Sequence, residues 1–167
     1  MGSGKSTIGR LLSRKLGVTF VDTDDEIERR SGRRISTIFA EDGEAGFRAL
    51  EARVVTDVLA SYDGVVSLGG GAVMTEAIRT ALAGHRVIYL KLSAEAGFAR
   101  VASSDRPLLA DPDPAGRYAA LLQQREPTYR SVAAFEVAAD REPHVVIDDI
   151  RAQLELENRR GSHRVEE

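Results

Sequence analysis

The sequence has no cysteine and no tryptophan among its 167 residues, and aromatic residues make up only 5%. Without cysteine there are no disulfides, no thiol nucleophile and no cysteine-built zinc site. So few aromatic rings leave no platform on which nucleic-acid bases could stack. Long apolar runs are missing too. Stretches such as Val87-Ile88-Tyr89-Leu90 fall far short of the ~20 residues of a membrane-spanning helix. No basic N-terminal region followed by an apolar segment marks a secretory signal, and the expected compartment is the cytoplasm. An excess of positive charge is also absent: 23 Lys and Arg stand against 26 Asp and Glu, a formal charge of -3 with a pI near 5.7. General nucleic-acid binders carry a basic excess. Neither a nucleic acid nor a membrane is therefore expected as a partner, and any anion must be met by local positive charge.

What is present is 43% hydrophobic and 29% charged residues, the composition of a globular chain able to bury a core. The length fits one α/β domain. Gly4 to Leu16 reads as a helix with Ile8, Leu11, Leu12 and Leu16 on one face, closed by Gly17. Val18 to Val21 reads as a buried strand ending in Asp22-Thr23-Asp24, and a short helix carrying Ile27 stops near Ser31-Gly32. Ser36 is placed to cap a short helix with Ile38 and Phe39. Glu44 to Ala60 follows as a long helix with Phe47, Leu50, Val54 and Val58 as its buried stripe. Gly64 to Leu68 is a second strand running into Gly69-Gly70-Gly71. Thr75 to Ala83 is helical, Val87 to Leu92 is a third strand, and Glu95 to Ala102 is helical. Ser103 to Pro114 is polar and proline-rich, the best candidate for a mobile loop. A helix over Ala115 to Arg125, a short strand at Phe135 to Val137, a final helix from about Pro143 and a frayed tail from Asn158 complete the chain.

Strands alternating with helices imply a parallel sheet covered on both faces, and ligands of such sheets gather at the carboxyl ends of the strands. The Asp22–Asp24 cluster and the triple glycine both fall at such ends. At the start, Gly2-Ser3-Gly4-Lys5-Ser6-Thr7 passes straight into a helix. Glycines let successive amides curl around a phosphate, and the helix N-terminus adds partial positive charge. Lys5 is then placed to reach the β- and γ-phosphates and the Ser6 hydroxyl to hold Mg²⁺. The full motif, G-x-x-x-x-G-K-[ST], puts its first glycine ahead of Met1, and the strand that feeds such a loop is not in the chain. The expectation is that the natural chain starts upstream.

The carboxylates of Asp22 and Asp24 share a side if the strand continues through them. One can then assist Mg²⁺ and the other accept a hydroxyl proton, while helix capping by Asp is the alternative reading. Arg48, beside Glu44 and Glu51 at helical spacing, reads on its own as a surface ion-pairing residue. Three glycines after a buried strand suit close approach of backbone to a small ligand. Arg106, Arg125 and Arg141 each read singly as solvated charges, with Arg106 in the candidate mobile loop where a cation can close over phosphates. His85, His144 and His163 are scattered and show no ligand spacing.

Taken together, these motifs resemble shikimate kinase. The matching pieces are Gly-Ser-Gly-Lys-Ser-Thr, Asp22-Thr23-Asp24, the segment from Ile38 to Glu44 leading to Phe47-Arg48, Ser67 to Ala72, Arg106-Pro107-Leu108, and Arg125-Glu126-Pro127-Thr128-Tyr129. They span Gly2 to about Pro143. The resemblance implies a three-layer P-loop fold of the nucleoside-monophosphate-kinase type. Its parallel sheet has five strands, of which this chain supplies four, and it carries a lid at about 102–114. A single kinase domain over 1–157 is expected, followed by a disordered tail over 158–167. The implied activity is MgATP-dependent phosphorylation of the 3-hydroxyl of shikimate, on the route to chorismate and aromatic amino acids.

By the same resemblance, Gly2 to Thr7 (Gly2, Ser3, Gly4, Lys5, Ser6, Thr7) hold ATP and Ser6 ligates Mg²⁺ with Asp22 assisting. Asp24 holds the ring hydroxyls and acts as base. Arg48 and Arg125 grip the shikimate carboxylate, and the backbone of Gly69, Gly70 and Gly71 contacts the ring. Arg106 is the lid cation on ATP, and Arg141 lies near the adenine. ATP and shikimate are thus the expected partners of a monomer. Rival readings are another small-metabolite kinase on this fold, such as gluconate kinase, a non-catalytic nucleotide-binding module, and a purely structural α/β domain.

Overall fold

The structure, a computed structural model, describes residues 2–102 and 112–163, with side chains to residue 158. Arg106 and most of the expected lid lie outside the described residues.

Each element follows from local chemistry. Helix α1 (Lys5–Leu16) begins after Gly4, whose φ of 77° places it in the left-handed region, and ends at Gly17 with φ 69°, a conformation glycine adopts without the Cβ penalty. Strand β1 (Thr19–Asp22) leads directly into α2 (Thr23–Ser31). The Asp22 side chain accepts from the Asp24 amide and so caps α2. The strand therefore does not continue through Asp24, and the two carboxylates are related by a strand-to-helix junction rather than by strand alternation. Helix α3 (Ile35–Ser61) is capped at Arg34, not Ser36, and bends at Gly43, where φ is 72° and ψ 179°. The two helical segments expected on either side of Gly43 thus run on with a kink between them.

Strand β2 (Gly64–Ser67), a 3₁₀ turn (Ala72–Met74), α4 (Glu76–Ala81), β3 (Ile88–Lys91) and α5 (Ala94–Val101) follow. Helix α6 (Pro114–Val132) carries Pro127 within it and runs well beyond the expected end at Arg125. Strand β4 (Phe135–Ala138) and α7 (Pro143–His163) complete the chain. α7 stays helical past Asn158, where the tail was expected to begin.

The strands are parallel. In one pair Thr19 lies opposite Gly64 and Asp22 opposite Ser67; in the other Ile88 lies opposite Phe135 and Lys91 opposite Ala138. Among the described residues these form two two-stranded sheets, β1-β2 and β3-β4, without a ladder joining β2 to β3.

Side-chain alternation along the strands separates three layers. On one face, Ile8 and Leu12 of α1 and Val146, Ile147 and Ile150 of α7 enclose a cluster that also receives Val65 from β2 and Ile88 and Leu90 from β3. This cluster therefore bridges the two strand pairs. On the other face, Val66 and Val21 meet Ile27 of α2 and Phe47, Val54 and Val58 of α3. The opposite side of α3 gives Val55 and Leu59 to a third cluster with Ala72, Val73, Ile78 and Tyr129. The expected α3 stripe is buried at Phe47, Val54 and Val58, whereas Leu16, expected on the buried face of α1, is 44% exposed. Truncating a fully enclosed side chain such as Ile150 to alanine costs about 2–5 kcal/mol.

Candidate active site

The carboxyl ends of β1 and β2 and the start of α1 bring the chemistry together. At α1 the first-turn amides have no partner within the helix, and α1 has no side-chain cap, so the helix presents N–H groups and its positive pole to an anion. Gly2, with φ 71°, makes this turn possible, and its backbone lies so close to α5 that a Cβ there would stand 2.6 Å from the Gly97 carbonyl oxygen. An open cleft of about 720 Å³ runs beside the loop, lined by Ser3, Gly4 and Thr7 and, opposite them, by Arg100 and Arg141. Arg100 also donates to the Gly2 carbonyl at 3.3 Å, and Arg141 is paired with Asp149. Lys5 is half-buried at the first position of α1.

Ser6 and Asp22 meet. The Ser6 hydroxyl donates to Asp22 Oδ2 at 2.6 Å while Asp22 Oδ1 accepts from the Asp24 amide at 3.0 Å. Asp22 is 6% exposed, so capping and pairing with Ser6 are carried by the same carboxylate. Directly across the strand register from Asp22 lies Ser67, whose buried hydroxyl oxygen has no hydrogen-bond partner among the described residues. A hydroxyl, a carboxylate and an unsatisfied second hydroxyl form an all-oxygen donor set of the kind Mg²⁺ takes. That ion needs only one or two protein ligands beside water and phosphate. Among the described residues no cluster of three or more His, Cys, Asp or Glu forms a dedicated metal cage.

A second group of residues gathers around the glycine loop after β2. The Gly69 amide donates to the fully buried Thr23 hydroxyl at 3.1 Å, and the Ala72 amide donates to the Gly69 carbonyl at 3.0 Å. The loop is thus tied to α2 on one side and wound into the 3₁₀ turn on the other. A Cβ on Gly69 would stand 2.7 Å from Asp24 Oδ1 and 2.9 Å from Glu51 Oε1, and one on Gly71 would stand 2.5 Å from an Arg48 guanidinium nitrogen. Asp24, Glu51 and Arg48 therefore press directly on the glycine backbone.

Arg48 donates to Glu51 at 2.6 Å, lies 3.5 Å from Glu44 and stacks over the Phe47 ring at 5.2 Å. Glu51 is 1% exposed. Burial pushes its carboxyl above the ordinary carboxylate range, and the Arg48 guanidinium opposes that rise. Arg125 of α6 approaches the same group, close enough to act electrostatically on Glu51 and on Tyr129.

The structure thus assembles Asp24, Arg48, Gly69, Gly71 and Arg125 in one place, Ser6 with Asp22 in a second, and Arg141 with the phosphate loop in a third. Arg106 lies outside the described residues. Sequence reasoning assigned no role to Glu51, Thr23, Ser67 or Arg100. For Glu51 the signal was its spacing of three residues from Arg48 on one helix. For Thr23 it was a hydroxyl lodged between two aspartates at a strand end.

Comparison with known proteins places this arrangement. The family model described as shikimate kinase matches residues 1–155. A shikimate kinase of Mycobacterium tuberculosis (strain ATCC 25177 / H37Ra) is 52% identical over 157 residues, 93% of this chain and 89% of the relative. That of Mycobacterium avium (strain 104) is 52% identical over 155 residues, 92% and 88% of the two chains. Among solved structures, shikimate kinase from Acinetobacter baumannii in complex with shikimate superposes with a TM-score of 0.86 at 36% identity, covering 95% of this chain and 89% of that one. The enzyme from Aquifex aeolicus superposes with a TM-score of 0.80 at 35% identity, covering 93% and 92%. With a matching family model across most of its length and a relative 52% identical over 93% of it, this chain belongs to the shikimate kinase family.

Proposed function

We propose that this chain transfers the γ-phosphoryl group of ATP to the 3-hydroxyl of shikimate, giving shikimate 3-phosphate and ADP. The observation that carries this reading is the convergence of Asp24 and Arg48 on the Gly69–Gly71 backbone, with Arg125 acting on Glu51 beside them. Two guanidinium forks suit a carboxylate approached from two directions, and a neighbouring aspartate suits the hydroxyls of the same small molecule. The 36%-identical structure from Acinetobacter baumannii, described as a complex with shikimate, supports the choice of acceptor.

In this reading the amides of residues 2–7 and Lys5 cradle the polyphosphate, and the cleft bounded by Arg100 and Arg141 receives the base. Ser6 and Asp22 would hold Mg²⁺, which would supply positive charge to offset the charge developing on the phosphates. Arg106 is assigned from its place in the sequence as a further cation on the phosphates. Arg48 and Arg125 hold the acceptor carboxylate, and the glycine backbone supports the ring. The acceptor oxygen forms a bond to the γ-phosphorus as the bond to the β-bridging oxygen breaks, ADP departs, and Asp24 takes the hydroxyl proton. Alignment and charge neutralisation dominate such transfers, so Lys5 and the cations outrank the basicity of Asp24 as contributors to rate. The chain acts as a monomeric, cytoplasmic enzyme with one kinase domain over residues 1–157. No helix among the described residues is long and apolar enough to cross a membrane.

A coupled assay of ADP release with shikimate and, separately, gluconate tests the proposal. Shikimate-dependent release is expected. A preference for gluconate reassigns the acceptor, and ATP binding without turnover of either makes the chain a nucleotide-binding module.

A further inference from the structure

Tyr129 stands where the two halves of the acceptor pocket meet. It lies one helical turn after Arg125 on α6, so both side chains share a face. Its hydroxyl donates to the Gly70 carbonyl oxygen at 2.5 Å, and the positive charge of Arg125 one turn earlier favours the phenol oxygen electrostatically. The ring packs against Tyr89 of β3 with centroids 5.2 Å apart and joins the cluster of Val55, Leu59, Ala72 and Val73. Burial pushes the phenol above its ordinary range, which keeps it a donor at neutral pH. A hydroxyl on the Arg125 face of α6 thus gives to the middle residue of the glycine loop.

We propose that Tyr129 is a positioning residue for the acceptor: its hydroxyl sets the Arg125 guanidinium and the Gly70 backbone at a fixed separation, and so governs affinity for the acid being phosphorylated. The inference rests on the proposed function, because it takes Arg125 and the glycine loop as the acceptor's holders. The Gly69 amide is already tied to Thr23. Without the phenol, the next residue of the loop loses its link to α6, one turn from Arg125. Loss of one such hydrogen bond corresponds to a change of up to roughly tenfold in affinity.

Tyr129→Phe keeps the ring and its packing while removing only the hydroxyl. The expected result is a rise of about tenfold in KM and in the calorimetric Kd for shikimate, with kcat and KM for ATP within twofold of the parent. Circular dichroism and thermal melting report whether the variant keeps its fold. In a double-mutant cycle with Arg125→Lys, the two losses are expected to combine to less than their product, because both weaken the same side of one pocket. An unchanged shikimate KM in a folded Tyr129→Phe protein overturns the inference. So does a fall in kcat with both KM values unchanged, which marks a merely structural hydroxyl. Failure of the unsubstituted chain to turn over shikimate defeats the functional reading instead, so the two failures are distinguishable.

Discussion

Gly69→Ala is the most direct probe of the acceptor pocket, because the change adds one methyl group at a point where its neighbours are known. The added carbon would stand 2.7 Å from Asp24 Oδ1 and 2.9 Å from Glu51 Oε1. Reaching ordinary van der Waals separation requires those oxygens to retreat by about 0.5–0.7 Å, a displacement of the order at which reacting groups lose one to two decades of rate. Glu51 has little room to yield, since it is 1% exposed and bonded to Arg48. The displacement therefore falls on Asp24. Overpacking of this kind costs about 1–3 kcal/mol of stability. The expected outcome is a folded protein whose kcat for shikimate falls roughly 10–100-fold, while its affinity for ATP stays within twofold. Steady-state kinetics with ADP detection, ATP titration by fluorescence or calorimetry, and a thermal melt measure the three quantities. A kcat within twofold of the parent would refute the placement of Asp24 against this backbone.

Asp24→Asn and Arg48→Ala are expected to abolish turnover while largely sparing ATP binding; near-normal activity of Asp24→Asn would show that the acceptor pocket is misassigned. Lys5→Met is expected to weaken ATP binding directly, read as loss of the nucleotide-dependent rise in melting temperature. Glu26 offers a pH prediction away from the site. Hydrogen bonds from Arg29 and Arg30 pull its carboxyl down to about 2 from an ordinary 4.5. Because the folded-state value is the lower one, its contribution is complete above about 4.5 and disappears as pH falls through about 2. Glu26→Gln is expected to lose roughly 0.5–1 kcal/mol at neutral pH, the range of solvent-screened ion pairs. That difference should vanish in denaturant titrations near pH 2, and a gap that persists there contradicts the assignment.

Periodicity and turn residues made most of the fold legible before any coordinates. Gly17 and Gly32 stop α1 and α2 in the left-handed conformation, and Val146, Ile150 and Leu154 place α7 against the core. The boundary errors have particular causes. The expected end at Arg125 is passed, because α6 continues through Pro127 to Val132. Of the two readings open for Asp22-Thr23-Asp24, a continuing strand or helix capping, the capping holds: Asp22 turns the chain directly into α2 at Thr23. In the site, residues on short motifs were readable, whereas Glu51 and Thr23 act through burial, which sequence spacing does not report. Arg48 illustrates the point. Its ion pair with Glu51 is real, but the pair lies against a glycine backbone rather than on open surface.

The two parallel strand pairs have a consequence for how an acceptor is held. Aliphatic groups of α1 and α7 pack against residues of both pairs. Asp24 and Arg48 are carried by α2 and α3, whose cluster receives Val21 of β1 and Val66 of β2, whereas Arg125 is carried by α6, which leads into β4. An acid clasped by both arginines therefore ties one pair to the other, and its grip depends on elements from each.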